Sequence, residues 1–178
     1  FPGLVSNHHL HNVAGLAVAL VEMLKFGGEY TGKIIENAKR LGQELYERGF
    51  EVLCPDKGFT QSHTIIIDVS KFGDGASIEQ QLEAANIIAN RNLLPWDKRL
   101  GRDFRKPGGL RLGTSEVTRL GMGGSEMEAI AELIKRVVVD KESATSVAKE
   151  VAELRAGFQK VRYCFESPRK AYDYIEIK

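Results

Sequence analysis

The spacing of apolar residues divides the chain into helices, a few strands and one long irregular stretch. Leu10, Val13, Ala14, Ala17, Leu20, Val21 and Leu24 recur at three- and four-residue intervals. That is the period of an amphipathic helix and predicts one over about 8–26, with Ser6 or Asn7 as its N-cap. The opposite face (Gly15, Leu16, Ala19) is also small and apolar, so this helix is expected to be buried on two sides. Gly27-Gly28 is expected to end it. Tyr30, Ile34, Ala38, Leu41 and Leu45 predict a second helix over 29–48, with Lys33, Glu36, Lys39, Arg40 and Glu47 outward and Gly49 as its stop. Residues 50–53 read as a short strand. Residues 64–69 are β-branched and nearly all apolar, which suits a central strand. Ser-Ile-Glu-Gln at 77–80 matches a capping box, opening a helix to about 88. Asn90-Arg91-Asn92 closes it and Pro95 forbids continuation.

Alternation resumes at Leu110, Arg111 and Leu112, followed by Gly113-Thr114-Ser115. This predicts a strand that delivers one guanidinium, with Thr114 capping a short helix to about Leu120. A second capping box at 125–128 opens a helix to about Lys141, with Met127, Ile130, Ala131, Ile134 and Val137 inward. Val147, Val151, Leu154 and Phe158 predict a last helix over 143–158. The tail from 162 to 178 ends in alternating residues that suit a short strand. Two to three strands with helices in blocks give an α+β or α/β layer on an open sheet.

The stretch 91–111 stands apart. It holds Arg91, Lys98, Arg99, Arg102, Arg105, Lys106 and Arg111 against only Asp97 and Asp103, with Pro95, Pro107 and three glycines. It reads as a long loop, either a solvated basic surface or an electrostatic entrance for an anionic ligand. Arg111 itself is suited to gripping a carboxylate with both fork nitrogens. Its local sequence alone favours an ion pair with an acid of its own fold.

Composition narrows the field further. With 178 residues, 43% hydrophobic and 28% charged, the chain suits one domain, or one domain plus part of another. A net charge of +1 argues against a polyanionic partner. No apolar run approaches about 18 residues, so no transmembrane helix is expected, and the first residues lack a signal-peptide pattern. Cys54 and Cys164 are far apart and read as buried or idle thiols in a reducing compartment, the cytoplasm. His8, His9 and His11 cluster without a cysteine or acid beside them, which favours helix capping or subunit contacts over a metal site. His63 reads as structural, and no nucleophile-elbow motif occurs. The chain opens at Phe1, without Met, which reads as a fragment.

Taken in order, several short motifs resemble one family. They are Phe1-Pro2-Gly3 with His9 and His11; Ala14 and the Ala-Val-Ala-Leu run at 17–20; Asn37-Ala38 with Leu41; and Arg48-Gly49-Phe50. Ser62-His63 leading into the 64–69 strand, Asn90-Arg91-Asn92 with Pro95 and Asp97, and Gly109-Leu-Arg-Leu-Gly-Thr114 with Gly121-Met122 complete them. Their order and spacing up to about residue 140 resemble the C-terminal part of serine hydroxymethyltransferase, the pyridoxal-phosphate enzyme that interconverts serine and glycine. The resemblance implies the small domain of a fold-type-I pyridoxal-phosphate transferase, with helices on a small, mostly antiparallel sheet behind a long connecting helix. Residues 1–26 would be the end of the large domain and the connecting helix, 27–178 the small domain, and 142–178 a divergent helical tail.

The resemblance also implies roles. Arg111 would bind the substrate carboxylate and Asn92 the pterin, tetrahydrofolate or tetrahydromethanopterin. Backbone N–H groups of Ser6 and Asn7 would reach the pyridoxal 5'-phosphate of the partner subunit in a homodimer. The family usually carries Gly-Gly at 6–7, and it carries arginine one place after Arg119. These departures fit a distant branch that uses a modified pterin, and no role is carried over to Arg119. The Schiff-base lysine lies before Phe1 in the family, so no catalytic residue is expected here and the chain alone is expected to be inactive. No nucleic acid, membrane or metal is expected. Two other readings stand beside this one: another fold-type-I enzyme such as an aldolase or aminotransferase, and a non-catalytic module docking a partner through the 91–111 loop. The near-neutral charge and only two aromatics there, Trp96 and Phe104, weigh against the latter.

Overall fold

One helix, α1 (Leu10–Glu47), runs for 38 residues and dominates the molecule. The computed structural model describes residues 3, 4, 7, 9–166 and 170–172. The predicted break at Gly27-Gly28 is absent. Glycine in the right-handed region still donates and accepts in the helical ladder, and Thr31 Oγ1 reinforces this point by donating to the Gly27 carbonyl at 2.8 Å. Two glycines cost about 2 kcal/mol relative to alanine. A break would strand the unpaired N–H and C=O groups of two new helix ends, so continuity wins. The N-cap is His9, with no side-chain capping bond. Asn7 is not the cap, and Ser6 lies outside the described residues.

The two halves of α1 differ. Ile34, Ala38, Leu41 and Leu45 are buried in the core, as their spacing predicts. Residues 10–21 are all exposed, contrary to burial on two sides, because no described element packs over them. Leu10, Leu16, Leu20 and Leu24 are left bare. By length and composition α1 also meets the threshold for crossing a membrane, which corrects the expectation that no segment does. That test is weak for a helix whose other half carries Asn37, Glu44 and a globular core.

The sheet has four strands in the order β1-β2-β4-β3: β1 (Glu51–Val52), β2 (Thr64–Asp68), β3 (Asn90–Asn92) and β4 (Gly109–Gly113). Every pairing is antiparallel. One helix, α2 (Gly75–Ala84), lies between β2 and β3, and three follow β4: α3 (Ser115–Arg119), α4 (Gly124–Val138) and α5 (Ala144–Ala156). Val52, Ile65, Ile67, Leu110 and Leu112 point to the helices and join Leu45, Ile78, Leu82, Met127 and Ile134 in one core. The opposite face of the sheet carries no helix among the described residues. Placed against the family expectation, this is the small antiparallel sheet with helices on one side.

Two caps fall two or three residues before their predicted sites. Asp74 rather than Ser77 caps α2, its carboxylate accepting from the Ala76 and Ser77 amides at 3.0 Å. The helix ends at Ala84 because Asn86 turns left-handed (φ 61°). Gly123 caps α4, and Glu126 closes the box by accepting the Gly123 N–H at 2.7 Å. The last helix spans Ala144–Ala156, close to prediction, with Val147 fully buried. The strand expected at the end of the tail falls outside the described residues. Cys54 is exposed in a left-handed turn rather than buried.

Candidate functional site

Arg111 is the centre of β4, and the ladder decides where it points. Leu110 and Leu112 are buried, while Arg111 and Gly113 are exposed. In register, Arg111 lies opposite Ile66 on β2 and Asn90 on β3. Residues in register share a face, and side chains alternate along a strand. Arg111, Asn90 and Asn92 therefore stand together on the open face. Asn92 pairs with Gly109, which makes it the diagonal neighbour of Arg111, about 7–8 Å away by sheet geometry. The two expected ligand residues, 19 positions apart in sequence, are neighbours in space.

Among the described residues, Arg111 has no ion pair and no side-chain hydrogen bond. The intramolecular ion pair that local sequence favours does not occur among the described residues. Cations displayed by rigid strands without an internal partner are suited to an external anion. Asn92 is half-buried, and its amide N–H donates to the Leu93 carbonyl at 2.8 Å. Its carbonyl oxygen is left for another donor.

β3 itself is a correction. Asn90-Arg91-Asn92 reads as a helix end opening a loop, yet it forms the edge strand of the sheet. Asparagine has low strand propensity, so nothing local announces it. The tertiary setting provides what the letters do not. Ala89 is buried, and the Arg91 N–H and guanidinium both meet Glu79 of α2, at 3.2 and 3.6 Å.

The basic loop is also less irregular than expected. A 3-10 helix (Asp97–Leu100) is folded around Asp97, which is fully buried. Its carboxylate accepts the Leu94 N–H at 2.9 Å, the Gly108 N–H at 2.8 Å and the Arg102 guanidinium at 3.1 Å. Burial alone would push this carboxyl up, but the two amides and Arg102 outweigh it and hold it below the usual range. Glycine is required beside it. A Cβ on Gly108 would collide with Arg102 and lie 2.8 Å from Asp97, and one on Gly109 would lie 2.7 Å from Leu94. The loop is thus a fixed platform ending on β4. Among the described residues Lys98, Arg99, Arg105 and Lys106 take part in no ion pair and are exposed, so the platform presents net positive charge beside Asn92.

Behind β4, α1 fastens the strand end. The Thr114 hydroxyl donates to the Ile34 carbonyl at 2.9 Å, Asn37 donates to Thr118 Oγ1 and the Met122 carbonyl at 2.9 Å, and Tyr30 donates to the Ser115 carbonyl at 3.0 Å. Thr114 is the N-cap of α3 by position, as predicted, but its side chain makes no capping bond there and serves the bond to Ile34 instead. Sequence reading missed these fasteners. Asn37 and Thr114 were legible as family motif letters, but their partners lie about 80 positions away.

An apolar cavity of about 400 Å³ lies on the helix side of the sheet, lined by Leu112, Val117, Leu120, Met127, Ile134 and Leu154. It is across the sheet from Arg111, and its lining adds only a pair of opposite charges, Glu116 and Arg155, so it is not the candidate site. At the N-terminus Asn7 is exposed, and Ser6 and His8 lie outside the described residues. His9 and His11 sit with ring centroids 5.7 Å apart. No group of three metal-type side chains occurs among the described residues.

The family model described as serine hydroxymethyltransferase matches residues 1–134. The chain is 56% identical over 174 residues to the serine hydroxymethyltransferase of Korarchaeum cryptofilum (strain OPF8), covering 98% of this chain and 40% of that protein. It is 52% identical over 178 residues to the serine hydroxymethyltransferase of Methanothermobacter thermautotrophicus, covering 100% of this chain and 41% of that protein. In structure it is similar to L-threonine transaldolase from Pseudomonas fluorescens in its internal aldimine state, with a TM-score of 0.72 and 31% identity over 83% of this chain and 33% of that one. The chain spans about two fifths of the length of the curated relatives it matches.

Proposed function

Because the chain belongs to the serine hydroxymethyltransferase family, we propose that it is the substrate-gripping part of a one-carbon transferase. In the complete protein that enzyme interconverts serine and glycine and passes the one-carbon unit to a tetrahydropterin, tetrahydrofolate or tetrahydromethanopterin. The observation that carries this reading is Arg111, exposed at the centre of a rigid sheet, without a side-chain partner among the described residues and with Asn92 diagonal to it. In this reading Arg111 holds the substrate α-carboxylate with both fork nitrogens and so fixes the direction of the Cα bonds. Asn92 takes the pterin, and the fixed cationic platform beside it attracts anionic substrates from solution.

Pyridoxal 5'-phosphate fits the parts that this chain would offer it. Asn7 is exposed ahead of α1, and the first turn of α1 has neither a side-chain cap nor an acid. Free amides at a helix start suit a phosphate, and Ser6 and Asn7 would offer theirs to the cofactor of the partner subunit in a homodimer. When bound, pyridoxal phosphate supplies the electron sink at the substrate Cα. The bare apolar half of α1 belongs, in this reading, against the large domain and the second subunit of a cytoplasmic homodimer. Residues 1–26 then close the large domain, and 27–178 form the small one with a divergent tail from 142.

The 178 residues alone are expected to form no serine from glycine with pyridoxal phosphate and a pterin, since the reactive lysine belongs to a part of the family before Phe1. The deciding assay uses the complete protein and measures serine cleavage with and without each of the two pterins. Strict dependence on either one supports the reading. Cleavage of a β-hydroxy amino acid at the same rate without any pterin replaces it with a pterin-independent aldolase, the alternative favoured by likeness to a transaldolase.

A further inference from the structure

The tail after α5 crosses the molecule and closes over the joint between α1 and α3. Its Arg162 N–H donates to the Arg119 carbonyl at 2.7 Å. Its Phe165 N–H donates to Glu22 on α1 at 3.0 Å. Between these anchors the Tyr163 ring stacks on Tyr30, with centroids 5.2 Å apart and 29° between planes. Arg119 faces Tyr30 as well, its guanidinium 5.3 Å from the ring centre, and donates to Glu22 at 3.2 Å. Phe165 meets Phe26 edge-on at 5.8 Å, and Lys25 lies over both rings. Gly121, at φ +93°, leaves room for the Arg162 side chain, which a Cβ would approach to 3.2 Å.

Tyr30 is the middle of this group, and its hydroxyl leaves it in one direction only. It donates to the carbonyl of Ser115, the first residue of α3 and four positions beyond Arg111. Thr114, next to it, is tied to Ile34. The chain just past β4 is therefore fixed to α1 at two adjacent residues, Thr114 and Ser115, and the tail holds the outer of these ties in place. The group lies outside the apolar core. Its side chains pair with one another and with backbone, which leaves its orientation of β4 as its distinctive effect.

We propose that Tyr30, clamped by Arg119 and the tail segment 162–166, is a positioning residue that sets the aim of Arg111 at the substrate carboxylate. This rests on the reading of Arg111 given above. Burial pushes the Tyr30 phenol up, with Arg119 opposing, so it stays a hydrogen-bond donor throughout the working pH range. A static clamp of this kind acts on binding geometry, so its loss appears in the Michaelis constant for serine more than in turnover.

The test uses the complete enzyme. Tyr30→Phe removes the hydroxyl and keeps the stacked ring. It is expected to raise KM for serine about fivefold with kcat changed by less than about twofold. Truncation after Lys160 is expected to give the same split, and the double variant no more than either alone, since both loosen one tie. KM values within about twofold of the parent for Tyr30→Phe, whether or not the melting temperature falls, overturn the proposal. Additive effects in the double variant overturn the role of the tail. If the truncated chain does not fold, Tyr30→Phe decides alone. Arg111→Gln is run beside them. If it leaves KM unchanged, the reading of Arg111 fails. If it raises KM while Tyr30→Phe does not, only the clamp fails.

Discussion

Arg111→Lys in the complete enzyme is expected to lower kcat/KM for serine by about 10²–10³-fold, equivalent to about 3–4 kcal/mol of lost transition-state stabilisation. The substitution keeps the charge and the long stem, and it loses the planar fork that meets two carboxylate oxygens at once. A single ammonium leaves the carboxylate free to swing about one contact, so the Cα bonds are no longer held in one direction. The same substitution is expected to change stability by no more than about 0.5 kcal/mol, because Arg111 is exposed and holds nothing within the described fold. Steady-state kinetics and a thermal melt on one preparation therefore separate site from scaffold. Unchanged serine turnover and affinity would remove Arg111 from the site.

The second large effect is on the scaffold. Asp97→Ala is expected to destabilise the protein by about 3–5 kcal/mol. The loss leaves the Leu94 and Gly108 amides and part of Arg102 buried without an acceptor. Thermal unfolding checks it, and hydrogen exchange at the Leu94 and Gly108 amides locates it. Asp97→Asn keeps one acceptor oxygen and should fall between. Acid should act on the same point. The folded carboxyl lies below its ordinary value, so its contribution is complete above the unfolded pKa of about 3.9 and fades as the pH falls through the lower folded value. Loop loosening below about pH 4, absent in Asp97→Asn, is the expected signature. An Asp97→Ala protein that melts with the parent would show that the platform is held by other means.

Legibility followed the range of each interaction. The strand bearing Arg111 was readable because Leu110 and Leu112 alternate around it. α4 was readable because Met127, Ala131, Ile134 and Val137 repeat at helical spacing. Local letters failed where distant partners decide. Gly27-Gly28 looks like a stop, but the cost of two new helix ends outweighs the glycine penalty. Asn90-Arg91-Asn92 looks like a loop, but Glu79 and the edge of β4 make it a strand. Only the second half of α1 is buried among the described residues, because no described element packs over residues 10–21, and periodicity cannot report that. For the site, the ion pair that local letters favour for Arg111 is not found among the described residues, and the ordered resemblance names Arg111 and Asn92 together. Nothing in the letters between them says that they are diagonal neighbours. That follows only from the β3–β4 register.

The unbroken course of α1 has a mechanical consequence. At 1.5 Å per residue its 38 residues make a beam about 57 Å long. One half is bolted through Tyr30, Ile34 and Asn37 to the segment that follows β4, and the other projects as a cantilever. A tilt of about 5° at Tyr30 carries Leu10 through about 3 Å. Read in reverse, a displacement of a few ångströms at whatever grips the free end arrives at β4 as a small rotation of the strand bearing Arg111. A two-glycine flexure at 27–28, stiffened by Thr31, sits just outside the bolts and sets how much of that rotation gets through.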